Sequence, residues 1–302
     1  MTEDQLTRML RARIQPAGRK GLVLGIGDDC AIFRPRGAGE DLVFTTDLLV
    51  EDVHFRAATH RPQAVGWKAL ARGLSDIAAM GAQPRFCLLS LALPEWAGRK
   101  WVSGFYDGFL RLAGRCSVVL AGGDLARAAK LACDIVVCGS LPRGKALLRS
   151  GARPGDALYV SGTLGGSALG LATRRGPAWQ RHLWPEPRLE LGRFLRAKLR
   201  ATSAMDLSDG ISLDLRRLCR ESKVSAELNA PLPVFHGAGL EEALDGGEDY
   251  ELLFTVRPGV RVPERRRGIP LTRIGTMREG RAGRVTLFGS PLAPRGFDHL
   301  RA

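Results

Sequence analysis

The chain has 302 residues, of which 45% are hydrophobic and 25% charged, and its formal net charge is +14. This composition is typical of a folded globular protein with room for two domains, and it excludes a disordered or low-complexity chain. No apolar run approaches the roughly 20 residues that cross a membrane. The amphipathic helix predicted over residues 1–15 lacks the apolar core and cleavage site of a signal peptide. We therefore expect a cytoplasmic protein with no membrane partner.

The strong basicity leaves the partner open. It suits a solvated arginine-rich surface, attraction of anionic small substrates, or nucleic-acid binding. The arginines are scattered apart from one run at 265–267, and no aromatic residues interleave with them, so we place nucleic acid last. The six cysteines show no CxxC spacing and no export signal accompanies them, which favours reduced core thiols over zinc or disulfides.

In the first half, short strands are predicted at 22–24 and 31–33 around a Gly-Asp turn, followed by a strand over 41–45 that ends at Asp47. Pro62 begins a helix that runs to about Met80 and stops at Gly81. The later predicted elements are a strand at 86–93, a helix at 95–114, and strands at 117–121 and 131–139.

One acid stands inside the helix that begins at Pro62. We predict that Asp76 lies over the small residues Gly73 and Ala69, away from the side that carries Lys68 and Arg72. An aspartate above small residues suggests that a ligand approaches it closely.

The segment 142–155, rich in Gly, Pro and Arg, is the predicted domain boundary. It divides the chain into 1–141 and 142–302, each of mixed α and β structure. The predicted elements of the second half are a strand at 157–160, helices after Ser167, Pro187 and Ser208, the last capped by Ser208, and strands at 225–228, 250–256, 271–276 and 284–288.

Aspartates recur after apolar strands throughout the chain. The stretches are Gly25–Asp29, Thr45–Asp47, Gly122–Asp124 and Met205–Asp209. Carboxylates gathered at strand ends make a site for hard cations, and hard cations in an enzyme usually serve phosphate chemistry. We interpret Asp28, Asp41 and Asp214 as turn or cap residues. The remaining acids would repel one another without cations, and oxygen-only ligands favour magnesium over zinc.

Two other motifs are misleading. Gly139–Ala146 matches the first seven positions of a phosphate-binding P-loop, but it ends in Ala where a hydroxyl should hold magnesium. Pro142 is also incompatible with the loop-to-helix geometry of a P-loop. The glycines of Gly25–Cys30 begin a dinucleotide fingerprint, but the third glycine is missing and two acids stand where a pyrophosphate would lie.

Seven motifs together resemble one family over nearly the whole chain. They are GIGDDCA (25–31), TTDLLVEDVHF (45–55), LSDIAAMGA (74–82), GGD (122–124), RSGARPGD (149–156), MDLSDG (205–210) and GGEDYEL (246–252). The chain resembles the thiamine-monophosphate kinases, within the PurM-like, AIR-synthetase-related superfamily. The resemblance implies a two-domain PurM-like fold with an α/β N-terminal domain and an α+β C-terminal domain, and a homodimer joined through the N-terminal sheets. It also implies that ATP and thiamine monophosphate react to give ADP and thiamine diphosphate.

The resemblance further implies roles for individual residues of this chain. Positions that match the ligands of several Mg²⁺ ions are Asp29, Thr45, Thr46, Asp47, Asp76, Asp124, Asp206 and Asp209. Positions that match ATP contacts are Gly123, Asp124, Arg149, Ser208 and Tyr106. Positions that match thiamine-phosphate contacts are His54, Glu248 and Phe297. On the residues themselves, Glu248 carries a charge that could pair with the cationic thiamine.

Two alternatives stay open. One is another ATP-using enzyme of the same superfamily, similar to AIR synthetase or selenophosphate synthetase, which would differ in its acceptor. The other is a basic nucleic-acid-binding protein, which would leave the aspartates without a role.

Overall fold

Two β-sheets, one from each half of the chain, organise the fold in the computed structural model, which describes residues 1–13 and 20–300. The helices are α1 Glu3–Arg13, α2 Pro62–Ala79, α3 Arg99–Cys116, α4 Gly166–Thr173, α5 Gly176–Leu183, α6 Leu189–Phe194, α7 Ile211–Glu221 and α8 Leu240–Asp245. The strands of the first half are β1 Leu22–Leu24, β2 Ala31–Phe33, β3 Glu40–Val50, β4 Gln83–Leu93, β5 Val119–Arg127 and β6 Ala132–Pro142. Those of the second half are β7 Ala157–Ser161, β8 Ser203–Asp206, β9 Ser225–Leu228, β10 Leu252–Val256, β11 Arg265–Arg266, β12 Ile269–Arg278, β13 Val285–Leu287 and β14 Ser290–Pro291.

The first sheet has the order β1-β2-β3-β6-β4-β5, and all its neighbours are antiparallel except β4 and β5. Its strands alternate between two faces because successive side chains of an extended chain point in opposite directions. In β3, Val43, Thr45 and Leu49 are buried on the face that packs against α2, whereas Thr46 and Leu48 are exposed on the other face. One face is therefore core and the other is open.

Helix α2 lies at the centre of the molecule. Fourteen of its 18 residues are buried, including Lys68. It packs very closely on α3, since a Cβ added at Gly66 would lie 1.9 Å from the carbonyl oxygen of Phe105. Residues of α6 and β8 join the same hydrophobic cluster, so the core under α2 is built from both halves of the chain.

The second sheet has the order β14-β13-β9-β12-β7-β10-β8, with β11 beside β12. Its strands pair antiparallel except β9 and β13. Helix α7 covers a second hydrophobic cluster, to which it contributes Ile211, Leu215 and Leu218. The mixed α/β fold with two sheets agrees with the predicted fold class.

Several predicted bounds were wrong. Asp47 and Asp124 lie inside β3 and β5 rather than at their ends. The reason is pairing: β6 follows β3 along its full length, and β4 continues beside β5 to Arg127. Ser208 does not cap α7, which begins after Gly210. The N-terminal helix is described over Glu3–Arg13, and the predicted positions 14 and 15 lie outside the described residues, so its predicted end stays a prediction.

Two structural features concern the expectations drawn from composition. Within the described ranges, no helix has the length and apolarity needed to span a membrane. All six cysteines are free thiols, five of them buried and Cys116 partly buried, as predicted for core thiols.

Candidate active site

Three carboxylates from distant parts of the chain meet between the two halves. Asp29 follows the turn after β1, Asp76 stands in α2, and Asp206 ends β8. One oxygen of each lies within 4.8 Å of the other two. Asp29 and Asp206 are buried and Asp76 is partly buried.

The partners of these carboxylates are mostly neutral. The hydroxyl of Thr45 donates to Asp76, and that of Ser75 donates to Asp206 at 2.7 Å. Burial and the neighbouring carboxylates raise the pKa of Asp76 and that of Asp206 well above their usual value. The fold thus holds the two acids close together although both the loss of hydration and the repulsion between carboxylates disfavour their charged forms.

The cluster fits a hard cation. The Oδ2 atom of Asp29 is buried and has no hydrogen-bond partner among the described residues. The groups that could coordinate a cation, three carboxylates and the Thr45 hydroxyl, offer only oxygen ligands, which Mg²⁺ prefers. Asp29, Asp76 and Asp206, with the Thr45 hydroxyl beside them, are the residues that would hold Mg²⁺ here.

Arginines pair with Asp29 of this cluster and with two further predicted ligands, Asp47 and Asp209. Arg149, from the short helical turn after β6, forms an ion pair with Asp29. Arg72 donates to Asp47, with Nε 2.9 Å from Oδ1, and Arg217 pairs with Asp209. Each of these three predicted ligands therefore lies beside a guanidinium, a group that also binds phosphate oxygens well.

Asp28 has a different function from its neighbour. Its carboxylate accepts the backbone N–H groups of Asp29 and Arg149, at 3.0 and 3.1 Å. Burial and the adjacent charge raise its pKa to about 7. Asp28 thus ties the Gly25–Asp29 turn to the segment that carries Arg149, as expected of a turn residue.

Two of the predicted ligands lie on the opposite face of the first sheet. The register places Asp124, Ser90, Asp134 and Leu48 in one row across β5, β4, β6 and β3. Thr46 shares that face and donates to Asp134 at 2.7 Å. The side chains of Thr46 and Asp124 therefore do not join the cluster around Asp76, on the other face.

Gly123 is required by packing. A Cβ at this position would lie 1.8 Å from the carbonyl oxygen of Leu89 on β4. Only glycine lets β5 approach its neighbour this closely.

The predicted substrate residues His54 and Phe297 meet through a third ring. His299 lies 5.0 Å from the His54 ring and 4.7 Å from the Phe297 ring, measured between centroids. The backbone N–H of Phe297 donates to the carbonyl of Asp209, which attaches this aromatic group to the carboxylate region. Burial and the charge of Arg72 lower the pKa of His54 to about 3, so its ring is neutral at pH 7.

Glu248 is attached to the same segment of the chain as Phe297, at the residue before Asp209. Its backbone N–H donates to the carbonyl of Ser208, and its φ is +65°, a conformation uncommon outside glycine. Burial alone would raise the pKa of Glu248, but Lys68 and His182 lower this pKa to about 2. Glu248 is therefore a carboxylate at neutral pH.

Tyr106 lies apart from these groups. It packs with Phe105 and Phe109 on α3. No contact among the described residues connects it to the carboxylates, and its role beside the nucleotide stays a prediction.

Comparison with known proteins decides the family. The family described as "AIR synthase related protein, N-terminal domain" matches residues 27–141. The thiamine-monophosphate kinase of Rhodopirellula baltica is 38% identical over 98% of this chain and 97% of its own length. That of Escherichia coli K12 is 38% identical over 94% of each chain. The chain belongs to the thiamine-monophosphate kinase family.

Solved structures agree with this family membership. The structure of AaThiL complexed with AMPPCP and TMP matches with a TM-score of 0.87 and 33% identity, over 99% of this chain and 97% of that chain. The thiamine-monophosphate kinase from Stenotrophomonas maltophilia matches with a TM-score of 0.76 and 37% identity, over 96% of both. The hydrogenase maturation protein HypE in complex with ATP, at 19% identity and a TM-score of 0.67 over 87% of both chains, shares the fold.

Sequence reasoning missed the basic residues that this member of the thiamine-monophosphate kinase family places around its acids. It put Lys68 and Arg72 on a side of α2 away from Asp76, which was wrong. Residues 68, 72 and 76 are four apart, so they follow one face of a helix. Each contacts the site region, Lys68 through Glu248, Arg72 through Asp47 and Asp76 through Thr45. Counting helical spacing would have found them.

Proposed function

We propose that this protein transfers the terminal phosphoryl group of ATP to thiamine monophosphate, giving ADP and thiamine diphosphate. The observation that carries this proposal is the cluster of Asp29, Asp76 and Asp206 with an unpartnered buried oxygen. His54 and Glu248 both lie within electrostatic range of Arg72, which binds the neighbouring Asp47. Members of the same family, at 35–38% identity, are named for this activity.

The chemistry needs no general base in the protein. The acceptor is a phosphate monoester whose second pKa is about 6, so its oxygen is already anionic at neutral pH. We propose direct in-line transfer: an acceptor oxygen forms a bond to the γ-phosphorus, the bond to the bridging oxygen breaks, and ADP leaves with that electron pair. Several Mg²⁺ ions, when bound, would neutralise the repulsion between the two phosphates.

The residues of the chain supply position and charge. We propose that Arg149 and Ser208 contact the phosphates of ATP, and that Gly123, Asp124 and Tyr106 are further ATP contacts. The magnesium ligands are proposed on both faces of the first sheet: Asp29, Thr45, Asp47, Asp76, Asp206 and Asp209 on one side and Thr46 and Asp124 on the other. Neutral His54 and the aromatic Phe297 would hold thiamine monophosphate.

The assay is direct. Pure protein incubated with ATP, Mg²⁺ and thiamine monophosphate should yield thiamine diphosphate, measured by chromatography. Absence of product at every Mg²⁺ concentration would refute the proposal. Asp47→Asn and Asp124→Asn should each abolish turnover while the thermal unfolding curve stays cooperative, and near-normal turnover in either would show that the metal ligands are misassigned.

The same preparation separates the two alternatives. Another ATP-using enzyme of the superfamily would consume ATP with a different acceptor, which a screen of acceptors detects. A nucleic-acid-binding protein would bind oligonucleotides tightly and in a salt-sensitive way, without ATP or Mg²⁺. Family membership at 38% identity favours the thiamine substrate over both.

We propose that residues 1–141 and 142–302 form the two domains of the protein.

We also propose that two copies of the protein associate through the open face of the first sheet. Large apolar side chains exposed on that face include Leu48, Phe86, Leu88 and Val119, with exposed fractions of 53, 36, 39 and 63%. Such a patch usually marks a protein interface. Light scattering should report a dimer, and Leu88→Asp should convert it to a monomer; a monomeric wild type would refute this interface.

A further inference from the structure

Lys68 is among the largest fully buried side chains of the described residues, with 1% of its surface exposed. A lysine is almost never buried this completely unless it is paired. Its Nζ lies 2.7 Å from Oε1 and 2.8 Å from Oε2 of Glu248, 180 positions later in the sequence. The pair therefore connects α2 of the first half to the Gly246–Glu251 segment of the second.

The two members of the pair differ in exposure. The side chain of Lys68 is inaccessible, whereas 22% of that of Glu248 is exposed. The contact to Oε2 has hydrogen-bond geometry, and Oε1 accepts no hydrogen bond from any described residue. Both carboxylate oxygens of Glu248 thus face the Lys68 ammonium, while part of the same side chain stays open to the site.

Neighbouring side chains orient the lysine. His182 Nε2 lies 3.4 Å from Nζ of Lys68 and 3.2 Å from Nε2 of His60. The Trp179 ring stacks on His182 at 5.1 Å between centroids. Because the Lys68 side chain is also almost wholly enclosed, its ammonium group has little freedom to point away from Glu248.

Glu248 also needs such support because its backbone is in the left-handed conformation, which is unfavourable for a residue other than glycine. A conformation of this kind persists where surrounding contacts determine it. The ion pair with Lys68 and the hydrogen bond to Ser208 are such contacts.

We propose that Lys68 is a positioning residue for thiamine-monophosphate recognition, acting through Glu248. This inference rests on the proposed function of the site. Lys68 supplies the counter-charge of Glu248 and fixes its orientation, so that Glu248 meets the substrate as a preoriented hydrogen-bond acceptor. This differs from the sequence-based expectation, in which the charge of Glu248 pairs with the cationic thiamine.

The test is a double-mutant cycle read as separate KM values for the two substrates. Lys68→Met should raise KM for thiamine monophosphate by about tenfold or more, the effect expected for a lost hydrogen bond to a charged group. KM for ATP should not change. In the Glu248→Gln background, Lys68→Met should cause little further rise, because its effect passes through Glu248.

The control and the stability measurement keep the result decisive. Lys130→Met removes an exposed lysine, paired with Asp52 at 3.0 Å, and should leave both KM values as in the wild type. Lys68→Met alone leaves a buried unpaired carboxylate and should lower Tm, which the added Glu248→Gln change should partly restore. If the single variant does not fold, the double variant is compared with Glu248→Gln.

Three outcomes would overturn the inference. They are additive effects of the two substitutions on KM for thiamine monophosphate, an equal rise of KM for ATP, and an unchanged KM for thiamine monophosphate in Lys68→Met. A wild-type protein that turns over no thiamine monophosphate would refute the proposed function itself, and with it this inference. Failure of the inference alone leaves wild-type turnover intact.

Discussion

Asp76→Asn should stabilise the protein in the absence of metal while abolishing its activity. Asp76 lies within 4.8 Å of carboxylate oxygens of Asp29 and Asp206. At that distance and an effective dielectric constant of about 20, two unit charges repel by about 3.5 kcal/mol. Protonation, which the raised pKa of Asp76 and that of Asp206 favour, relieves part of this repulsion, so we expect a gain of about 2 to 3 kcal/mol in the free energy of unfolding. For a chain of this length, that gain corresponds to a rise in Tm of roughly 3 to 5 °C.

The stability difference between the wild type and Asp76→Asn should depend on pH. The pKa of Asp76 in the folded state is raised above its usual 3.8. Below about pH 4 the carboxyl is protonated in both states, so the variant has no advantage there. As pH rises through the raised pKa, the wild type loses stability relative to Asp76→Asn, and the difference in Tm should grow.

Calorimetry with and without Mg²⁺ measures both effects. Mg²⁺ at one hundred times its Kd should stabilise the wild type by about 2.7 kcal/mol and the variant by much less. Asp41→Asn is the control, since Asp41 is paired with Arg34 and accepts the N–H of Gly144. It should lower Tm without changing the Mg²⁺ shift. A lower Tm of Asp76→Asn in metal-free buffer at pH 8 would refute the reasoning.

Three substitutions test other parts of the structure by urea unfolding. Arg149→Ala should destabilise the protein by about 3 to 5 kcal/mol, because it leaves buried Asp29 unpaired; a neutral result would mean that the carboxylate is solvated. Glu251→Gln should cost a similar amount of stability at pH 7. Burial alone would raise the pKa of Glu251, but the neighbouring arginines lower it, so the stabilisation by this carboxylate is lost as pH falls and the substitution should cost less in acid. Gly108→Ala should cost about 1 to 3 kcal/mol through a 1.8 Å clash with α2, whereas Gly114→Ala, with open space around it, should not destabilise.

The helices of the core were predictable because burial imposes a period on the sequence. Helix α2 begins at Pro62 as predicted and ends one residue before the predicted Met80, since Pro and Gly determine the backbone at its ends. Strand ends were less predictable. Whether β3 stops at Asp47 or continues to Val50 depends on the length of β6, which lies about 90 residues later. Local sequence carries no information about that pairing.

The acids show the same division between what sequence can and cannot reveal. Asp41 and Asp214 each accept a backbone N–H and pair with an arginine, so their carboxylates are occupied by the fold. Asp76 and Asp206 each accept one hydroxyl and keep lone pairs for a cation. All four follow the same kind of sequence pattern, an acid near apolar residues, and the donors that separate them come from remote segments. The partners of a carboxylate, more than its position after a strand, thus decide whether it is a candidate ligand. By that criterion Asp47, which is bound by Arg72, needs a rearrangement of that arginine before both of its oxygens can face a metal.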